Sequence, residues 1–222
     1  MRKYLISLVF IVFGANAALA DRPFNWTGFY VGAHGGWSDW TLGRPDDLTS
    51  PTQSFDGFSG GMQIGYDRQL GSIVLGVVAD ASVGDLQGPT YKDGSAITVH
   101  SQIDWFGTLR GRLGVPIGHI MPYVTGGAAW MVGTTTENCP AGAGGGHCLA
   151  KGQYTETGDL SRWGWAYGGG FEMKLGGNVS LFAEYLRMDF GTEKEDLGPL
   201  SNNRDVKISD IDVVRGGVNF KF

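Results

Sequence analysis

The side chains best placed to do chemistry in this sequence are charged residues that recur at every second position. Arg110 and Arg112 are separated by Gly111 and flanked by leucines. A two-residue period places these arginines on one face of a β-strand and the leucines on the other. Because an unpaired buried charge is costly, arginines on an enclosed face need carboxylate partners. The chemistry that this spacing indicates is ion pairing inside a closed sheet.

The same alternation recurs in other segments and predicts a charged interior. We expect one network across the lumen of a barrel, formed by Asp80, Asp104, Arg110, Arg112, Glu172, Lys174, Glu184 and Arg215. The interior of an eight-stranded barrel is only wide enough for its own side chains. The network is therefore expected to fill and close the lumen. A gate, in which exchanged ion pairs open a narrow path, is the alternative.

The two cysteines, Cys139 and Cys148, stand in one long predicted loop. Because an exported protein passes through an oxidising compartment, we expect a disulfide between them. The bond would close a loop of about ten residues and stabilise the fold by roughly 2–3 kcal/mol. A metal site that adds His147 is the alternative, but it offers only three ligands at a spacing unlike zinc motifs.

Other chemistry finds no support in the sequence motifs. The histidines His34, His100, His119 and His147 stand on different segments without a shared spacing, and no haem motif accompanies them. The glycine-rich run 142–146 lacks the Gly-Lys-Ser/Thr of a phosphate loop. A nucleophile, a base and an orienting group cannot be assembled from the motifs. We therefore expect a protein that is not an enzyme and that binds no cofactor.

Eight segments must position these side chains, and each alternates apolar with small or polar residues. They cover about 26–40, 57–69, 73–84, 101–115, 121–135, 162–175, 179–190 and 212–222. Every second connection is long, and these four cover 41–56, 85–100, 136–161 and 191–206. Long loops at one end and short turns at the other are typical of transmembrane barrels. The sequence predicts an all-β fold: an eight-stranded antiparallel up-and-down transmembrane β-barrel with four long extracellular loops and short periplasmic turns.

Two local details of the alternation are open to a direct structural check. In segment 101–115, the pattern places Ile103 on the outward face and Asp104 on the inward face. In segment 179–190, the alternation weakens after Tyr185, where the pattern allows a β-bulge.

The first 20 residues carry the pattern of a cleaved secretory signal. A basic start precedes an apolar run from Leu5 to Phe13, and residues 18–20 form a small-x-small cleavage site. The apolar run is too short to span a bilayer. We expect residues 1–20 to be removed on export and residues 21–222 to form the barrel domain.

Charge and composition exclude two further classes of protein. The chain has 17 basic and 22 acidic residues, and loss of the two basic residues in the signal leaves a net charge of −7 (15 − 22). Because no basic stripe offsets this sign, we expect no nucleic-acid partner. Glycine accounts for 38 of 222 residues. Since glycine costs about 1 kcal/mol relative to alanine within a helix, this content argues against long helices.

The tryptophans sort to the ends of the predicted strands. Trp26 falls at the end that carries the short turns, and the loop-side group comprises Trp37, Trp40, Trp105, Trp130, Trp163 and Trp165. Two aromatic levels around an apolar band are typical of the girdles at both membrane interfaces. Aromatic residues that fill a soluble core are the alternative.

Several of these segments resemble the opacity-protein-like porin family of alphaproteobacterial outer-membrane proteins. The resemblance rests on 26–32 (WTGFYVG), 105–114 (WFGTLRGRLG), 123–129 (YVTGGAA), Glu184-Tyr185 and the terminal 215–222. It covers nearly the whole mature chain. It departs from the family pattern in the third strand, where the family often has a glutamate in place of Val78.

The resemblance implies an outer-membrane protein of a Gram-negative bacterium that acts as a structural envelope protein and surface antigen. A narrow low-conductance porin and an adhesin or haemin binder are the alternatives. The terminal Val218, Phe220 and Phe222 resemble the family's assembly signal. The partners implied are outer-membrane lipids, lipopolysaccharide and the barrel-assembly machinery, with a host surface or haemin reached through the long loops.

Overall fold

The computed structural model describes residues 25–43, 53–87, 91–92, 98–139, 153–195 and 204–222. These ranges contain ten strands: β1 Gly28–Gly43, β2 Gln53–Leu70, β3 Ile73–Gln87, β4 Tyr91–Lys92, β5 Thr98–Gly114, β6 Ile120–Cys139, β7 Tyr154–Gly176, β8 Val179–Asp189, β9 Thr192–Glu195 and β10 Arg204–Lys221. A membrane-spanning helix, with the length and apolar composition that this requires, is not found in these ranges.

Eight of the strands close into a barrel. Each is antiparallel to its neighbours in the order β1-β2-β3-β5-β6-β7-β8-β10, and β10 pairs with β1 to complete the ring. The closing ladder runs from Tyr30 opposite Lys221 to Gly43 opposite Lys207. Among the described residues, the short strand β4 pairs only with β5, and β9 pairs only with β10. The predicted eight-stranded antiparallel barrel is confirmed.

The barrel has two distinct ends. Short connections at residues 71–72, 115–119 and 177–178 mark one end, which we call the turn end. Gly71 and Gly177 turn the chain there with φ values of 63° and 56°, a left-handed conformation that glycine adopts without steric cost. The opposite end, where the long connections lie, is the loop end.

The hairpin of β6 and β7 extends further toward the loop end than the sequence predicts. Its ladder continues from Thr134 opposite Asp159 to Cys139 opposite Tyr154. The prediction ended these strands near residues 135 and 162, which is wrong. The extension carries polar residues on both faces, so the apolar alternation that identifies a half-buried strand is missing there.

A β-bulge in β5 overturns one predicted pair of orientations. Ile103 pairs with Gly133 and Trp105 with Val132, so Asp104 is an extra residue in this strand. Ile103 is therefore buried in the lumen, whereas the exposed Asp104 accepts hydrogen bonds outside it. The predictions that Ile103 faces outward and Asp104 inward are both wrong, because one inserted residue exchanges the faces of all that precede it.

The bulge considered after Tyr185 is not found. β8 alternates between buried and more exposed positions throughout Val179–Asp189. Its ladder with β10 runs without a shift from Val179 opposite Phe220 to Met188 opposite Ile211.

Glycines on the inward faces make room for large polar side chains. A Cβ atom on Gly76 would lie 2.2 Å from Asp67 Oδ1, and one on Gly61 would lie 2.8 Å from His34 Nε2. Such distances are far shorter than a normal contact. The high glycine content therefore has a direct packing role, since it lets charged side chains cross a lumen of limited width.

Candidate functional site

The middle of the lumen contains a buried four-residue ion-pair set, which we call the central cluster. Arg110 of β5 contacts Asp80 and Glu184, each at 2.9 Å. Arg215 of β10 contacts the same two carboxylates at 3.0 and 2.7 Å. The side chains are at most 3% exposed. Two arginines and two carboxylates from four strands thus form a closed, electrically balanced ring across the barrel.

A second ion-pair set, the turn-end cluster, lies closer to the short turns. Arg112 donates from Nε and Nη2 to the two oxygens of Asp67 at 2.9 and 2.8 Å, and from Nη2 to Glu172 at 2.7 Å. Lys221 Nζ contacts Asp67 at 2.9 Å. Ser180 donates to Glu172 at 2.5 Å. Two cations and two carboxylates again balance, and the bidentate arginine fixes their geometry.

Uncharged polar side chains complete the central cluster. The Thr108 hydroxyl donates to Asp80 and accepts from Arg110 Nε at 2.7 Å. His34 Nε2 lies 2.9 Å from Ser82 Oγ. These groups supply hydrogen bonds that the ion pairs alone leave unmade, which is the condition under which a buried ion pair is tolerated. The middle of the lumen is therefore filled by ion pairs together with neutral hydrogen-bonding groups.

Trp26 closes the turn end of the lumen, and we call residues 25–27 with its indole ring the Trp26 cap. The ring is fully buried against Val74 and Met121. The Trp26 backbone N–H donates to Gln69 Oε1 at 2.9 Å, and Lys221 Nζ donates to its carbonyl oxygen. The sequence placed Trp26 in the outward girdle, which is wrong. Because the residue precedes β1, it is free of the alternation of that strand and folds inward.

Apolar side chains close the loop end of the lumen, and we call them the apolar plug. Phe106 lies two inward-facing positions before Arg110 on β5, and Ile211 lies two before Arg215 on β10. The full set is Ile103, Phe106, Ala129, Met131, Ala166, Leu186, Met188, Phe190, Ile211 and Val213. All are at most 5% exposed. The lumen thus has an apolar closure in series with the polar clusters.

The structure assembles most of the predicted charge network, but as two clusters instead of one. The predicted residues that it brings together are Asp80, Arg110, Glu184 and Arg215 in the central cluster, and Arg112 and Glu172 in the turn-end cluster. Asp104 lies outside the lumen because of the β5 bulge. Lys174 lies beside the Trp26 cap, where its Nζ donates to the Asn25 carbonyl at 2.7 Å and lies 4.8 Å from the indole centroid.

Two members of the turn-end cluster were missing from the predicted network. Asp67 and Lys221 are both buried and carry ion pairs. The alternation already placed Asp67 on the inward face of its segment, and Lys221 stands in phase with Arg215. The alternation within each strand was therefore sufficient to include both residues in the predicted charge network. The pairing of Asp67 with Arg112 depends on cross-strand positions that one strand does not reveal.

Four tryptophans of the loop-side group point outward, as predicted. Trp37, Trp105, Trp163 and Trp165 are exposed at the barrel surface. The ring of Trp130, which is partly exposed, lies 6.5 Å from that of Trp105 and 5.8 Å from that of Trp163. Trp40 belongs to β1, where its backbone pairs with Ile211 of β10, and its side chain is outside what the structure describes. The role of these rings as a membrane girdle stays a prediction.

The last strand presents the predicted assembly signal on its outer face. Val218, Phe220 and Phe222 are exposed, and the two phenylalanine rings contact each other with centroids 5.3 Å apart. Phe222 N donates to the Phe29 carbonyl at 2.8 Å, so the chain end is tied to β1. Recognition of these residues by an assembly machinery stays a prediction.

The predicted disulfide lies outside what the structure describes. Cys139 ends β6, but its side chain is not described, and Cys148 stands in the segment 140–152. We expect mass spectrometry of unreduced protein from the native envelope to find the two cysteines in one disulfide-linked peptide pair. Free thiols at both positions would contradict this prediction.

The described part of the lumen is lined by paired charges. The described ranges contain no group of three or more metal-binding side chains suited to one ion. The carboxylates of both clusters are engaged by arginine guanidinium groups. The arrangement can therefore hold the strands together across the lumen.

Comparisons with known proteins find a matching family model and relatives of this chain. The family model described as outer membrane protein beta-barrel domain matches residues 5–222. The 31 kDa outer-membrane immunogenic protein of Brucella melitensis is 28% identical over 250 residues, which cover 100% of both chains. The 22 kDa outer membrane protein of Rhizobium leguminosarum bv. viciae is 28% identical over 200 residues, which cover 89% of this chain and 79% of the relative.

A solved structure, that of Neisserial surface protein A, aligns with a TM-score of 0.48 at 16% identity. The alignment covers 88% of this chain and 98% of that one.

Proposed function

The chain belongs to the outer membrane protein β-barrel family, and from this premise we propose that it is a closed barrel that serves as a structural envelope protein and surface antigen. The family match and the named relatives confirm the resemblance found in the sequence. They place the protein in the outer membrane of a Gram-negative bacterium. The closed lumen and the two roles are the parts that we propose.

The observation that carries this proposal is the presence of successive closures along the lumen. From the turn end, these are the Trp26 cap, the turn-end cluster, the central cluster and the apolar plug. A conducting porin needs a continuous water-filled path, and a ring of paired charges whose side chains are at most 3% exposed does not favour one. An apolar constriction opposes water entry independently of the charges. The series supports a barrel that is shut at rest.

Energetics favour the closed state of the two clusters. Removing Arg110 from the ring, for example, leaves the buried carboxylates of Asp80 and Glu184 to share Arg215 alone. Such a defect costs about 3–5 kcal/mol unless water enters. Entry of water is opposed from the loop end by the apolar plug and from the turn end by the Trp26 cap. The closures therefore support each other, which is the reason that we favour a structural role over the alternative of a salt-bridge gate.

The role as surface antigen rests on the printed names of relatives together with the shape of the barrel. The Brucella relative is named an outer-membrane immunogenic protein. In this chain, the hairpin of β6 and β7 projects to Cys139 and Tyr154 at the loop end, where it is available for recognition. We propose that this end is displayed outside the cell. Contacts with lipopolysaccharide, the assembly machinery, host surfaces or haemin also stand as proposals.

Liposome swelling tests the closed-lumen proposal. We expect vesicles that contain the refolded protein to swell in small sugars at the same rate as protein-free vesicles, with an open porin as the positive control. A Trp26→Gly variant should behave in the same way, because the two ion-pair clusters and the plug still close the lumen. Sugar uptake by the unmodified protein would overturn the proposal and favour the narrow-pore alternative.

A further inference from the structure

An open groove with a volume of about 360 Å³ lies on the outward face of β3, β5 and β6. Its apolar walls are Leu75, Leu113 and Val124, a row across three strands in which Leu113 pairs with Leu75 on one side and with Val124 on the other. Beside this row, Gly111 and Gly126 stand directly opposite each other and form the floor. Three adjacent strands therefore form the groove, in which branched side chains stand beside a pair of glycines.

The floor glycines are not required by packing within the barrel. A Cβ atom at Gly111 would meet its nearest neighbours at 3.9 and 4.0 Å, and one at Gly126 would meet its nearest at 3.7 Å. These are ordinary contact distances. The inward Gly127 differs, because its Cβ would lie 2.1 Å from the Leu109 carbonyl oxygen. The space above Gly111 and Gly126 is thus open to an occupant from outside the chain.

The position of the groove defines the chemistry of that occupant. Outward residues of an outer-membrane barrel contact hydrocarbon, so an apolar groove there meets acyl chains. Arg68 of β2, an exposed residue, pairs directly with Leu75 at the turn-end side of the groove. An arginine at this edge can bind a phosphate through its guanidinium. The site therefore offers an apolar surface to an acyl chain and a cation, Arg68, to an anionic headgroup.

We propose that this groove binds one phospholipid of the periplasmic leaflet, with an acyl chain over Gly111 and Gly126 and the phosphate at Arg68. Leu75 is the third residue after the turn at 71–72, and Leu113 is followed by the last residue of β5. The groove therefore opens toward the turn end, which faces the periplasm in the orientation of the proposed function, on which this inference rests. Phospholipid supplies both the chain and the phosphate in that leaflet.

Native mass spectrometry of the refolded barrel in a non-ionic detergent tests the site, with dimyristoyl-phosphatidylglycerol as the probe. We expect one lipid to be retained by the unmodified protein. Filling the floor with Gly111→Leu and Gly126→Leu should weaken retention about tenfold, because the chain loses roughly two buried methylenes. Arg68→Gln should weaken it about tenfold through loss of a charge-assisted hydrogen bond. With dimyristoylglycerol, which lacks the phosphate, Arg68→Gln should make no difference.

Gly60→Leu is the matched control, since Gly60 is an outward glycine of β2 whose Cβ would meet its nearest neighbour at 3.5 Å. It should retain the lipid as the unmodified protein does. The heat-dependent shift in gel mobility verifies that every variant is folded before it is compared. Equal retention by the groove-filled variant, or an equal loss in Gly60→Leu, would overturn the proposal. The readout is independent of the closed lumen, because the groove and the lumen lie on opposite sides of the barrel wall.

Discussion

Replacing Asp80 with asparagine is expected to lower the free energy of unfolding by about 3–5 kcal/mol. The Asp80 carboxylate has no exposed side-chain surface and accepts from Arg110, Arg215 and Thr108. Asparagine is nearly the same size but uncharged, so two buried guanidinium groups would then share Glu184 alone. Urea unfolding from lipid vesicles, followed by tryptophan fluorescence, measures the change.

Asp104→Asn provides the matched control for that substitution. The sequence pattern gives Asp80 and Asp104 the same inward orientation, whereas the structure buries only Asp80. Since surface substitutions usually change stability by less than about 0.5 kcal/mol, the Asp104 variant should unfold like the unmodified protein. Equal effects at the two positions would contradict the β5 bulge and the central cluster together.

Replacing Trp26 with alanine is expected to lower the free energy of unfolding by about 3–5 kcal/mol, the range for removal of a buried aromatic ring. The indole ring fills the turn end against Val74 and Met121, and the lost ring leaves a cavity there. The backbone bonds of the cap to Gln69 and Lys221 would lose the packing that holds them in place. The same urea titration measures this effect.

Two further variants distinguish the cap from a girdle residue. Trp163 is 71% exposed, so Trp163→Ala should cost no more than about 1.5 kcal/mol. Trp26→Phe keeps an aromatic ring and removes an indole N–H that has no hydrogen-bond partner among the described residues. It should therefore destabilise far less than Trp26→Ala. A loss from Trp163→Ala as large as that from Trp26→Ala would contradict the buried cap.

Much of the barrel follows from the two-residue period alone. In β2, for example, Met62 and Ile64 alternate with the buried Gln63, as the sequence predicts. The signal is strong there because the outward face is apolar and the inward face is polar or small. It fails in the extension of β6 and β7, where both faces are polar. The strand ends are therefore less predictable from sequence than the barrel itself.

The errors at Asp104 and Trp26 have one physical origin. Each residue lies where the regular alternation is interrupted, by an inserted residue in β5 and by the start of β1. A prediction based on the two-residue period assigns side chains to the wrong face beyond such an interruption, since each extra residue exchanges the inward and outward faces. The ion-pair partners were hidden for a different reason. The pairing of Arg112 with Asp67 depends on the register of neighbouring strands, which becomes visible only when the barrel is closed.

Planar-bilayer recording of the unmodified protein tests the closed lumen most directly. The central cluster, the turn-end cluster, the apolar plug and the Trp26 cap act in series, so we predict no steady current at moderate voltage after verified insertion. Insertion is verified by protease protection of the barrel in the same lipid. A long-lived, ohmic conductance like that of an open porin would contradict the account.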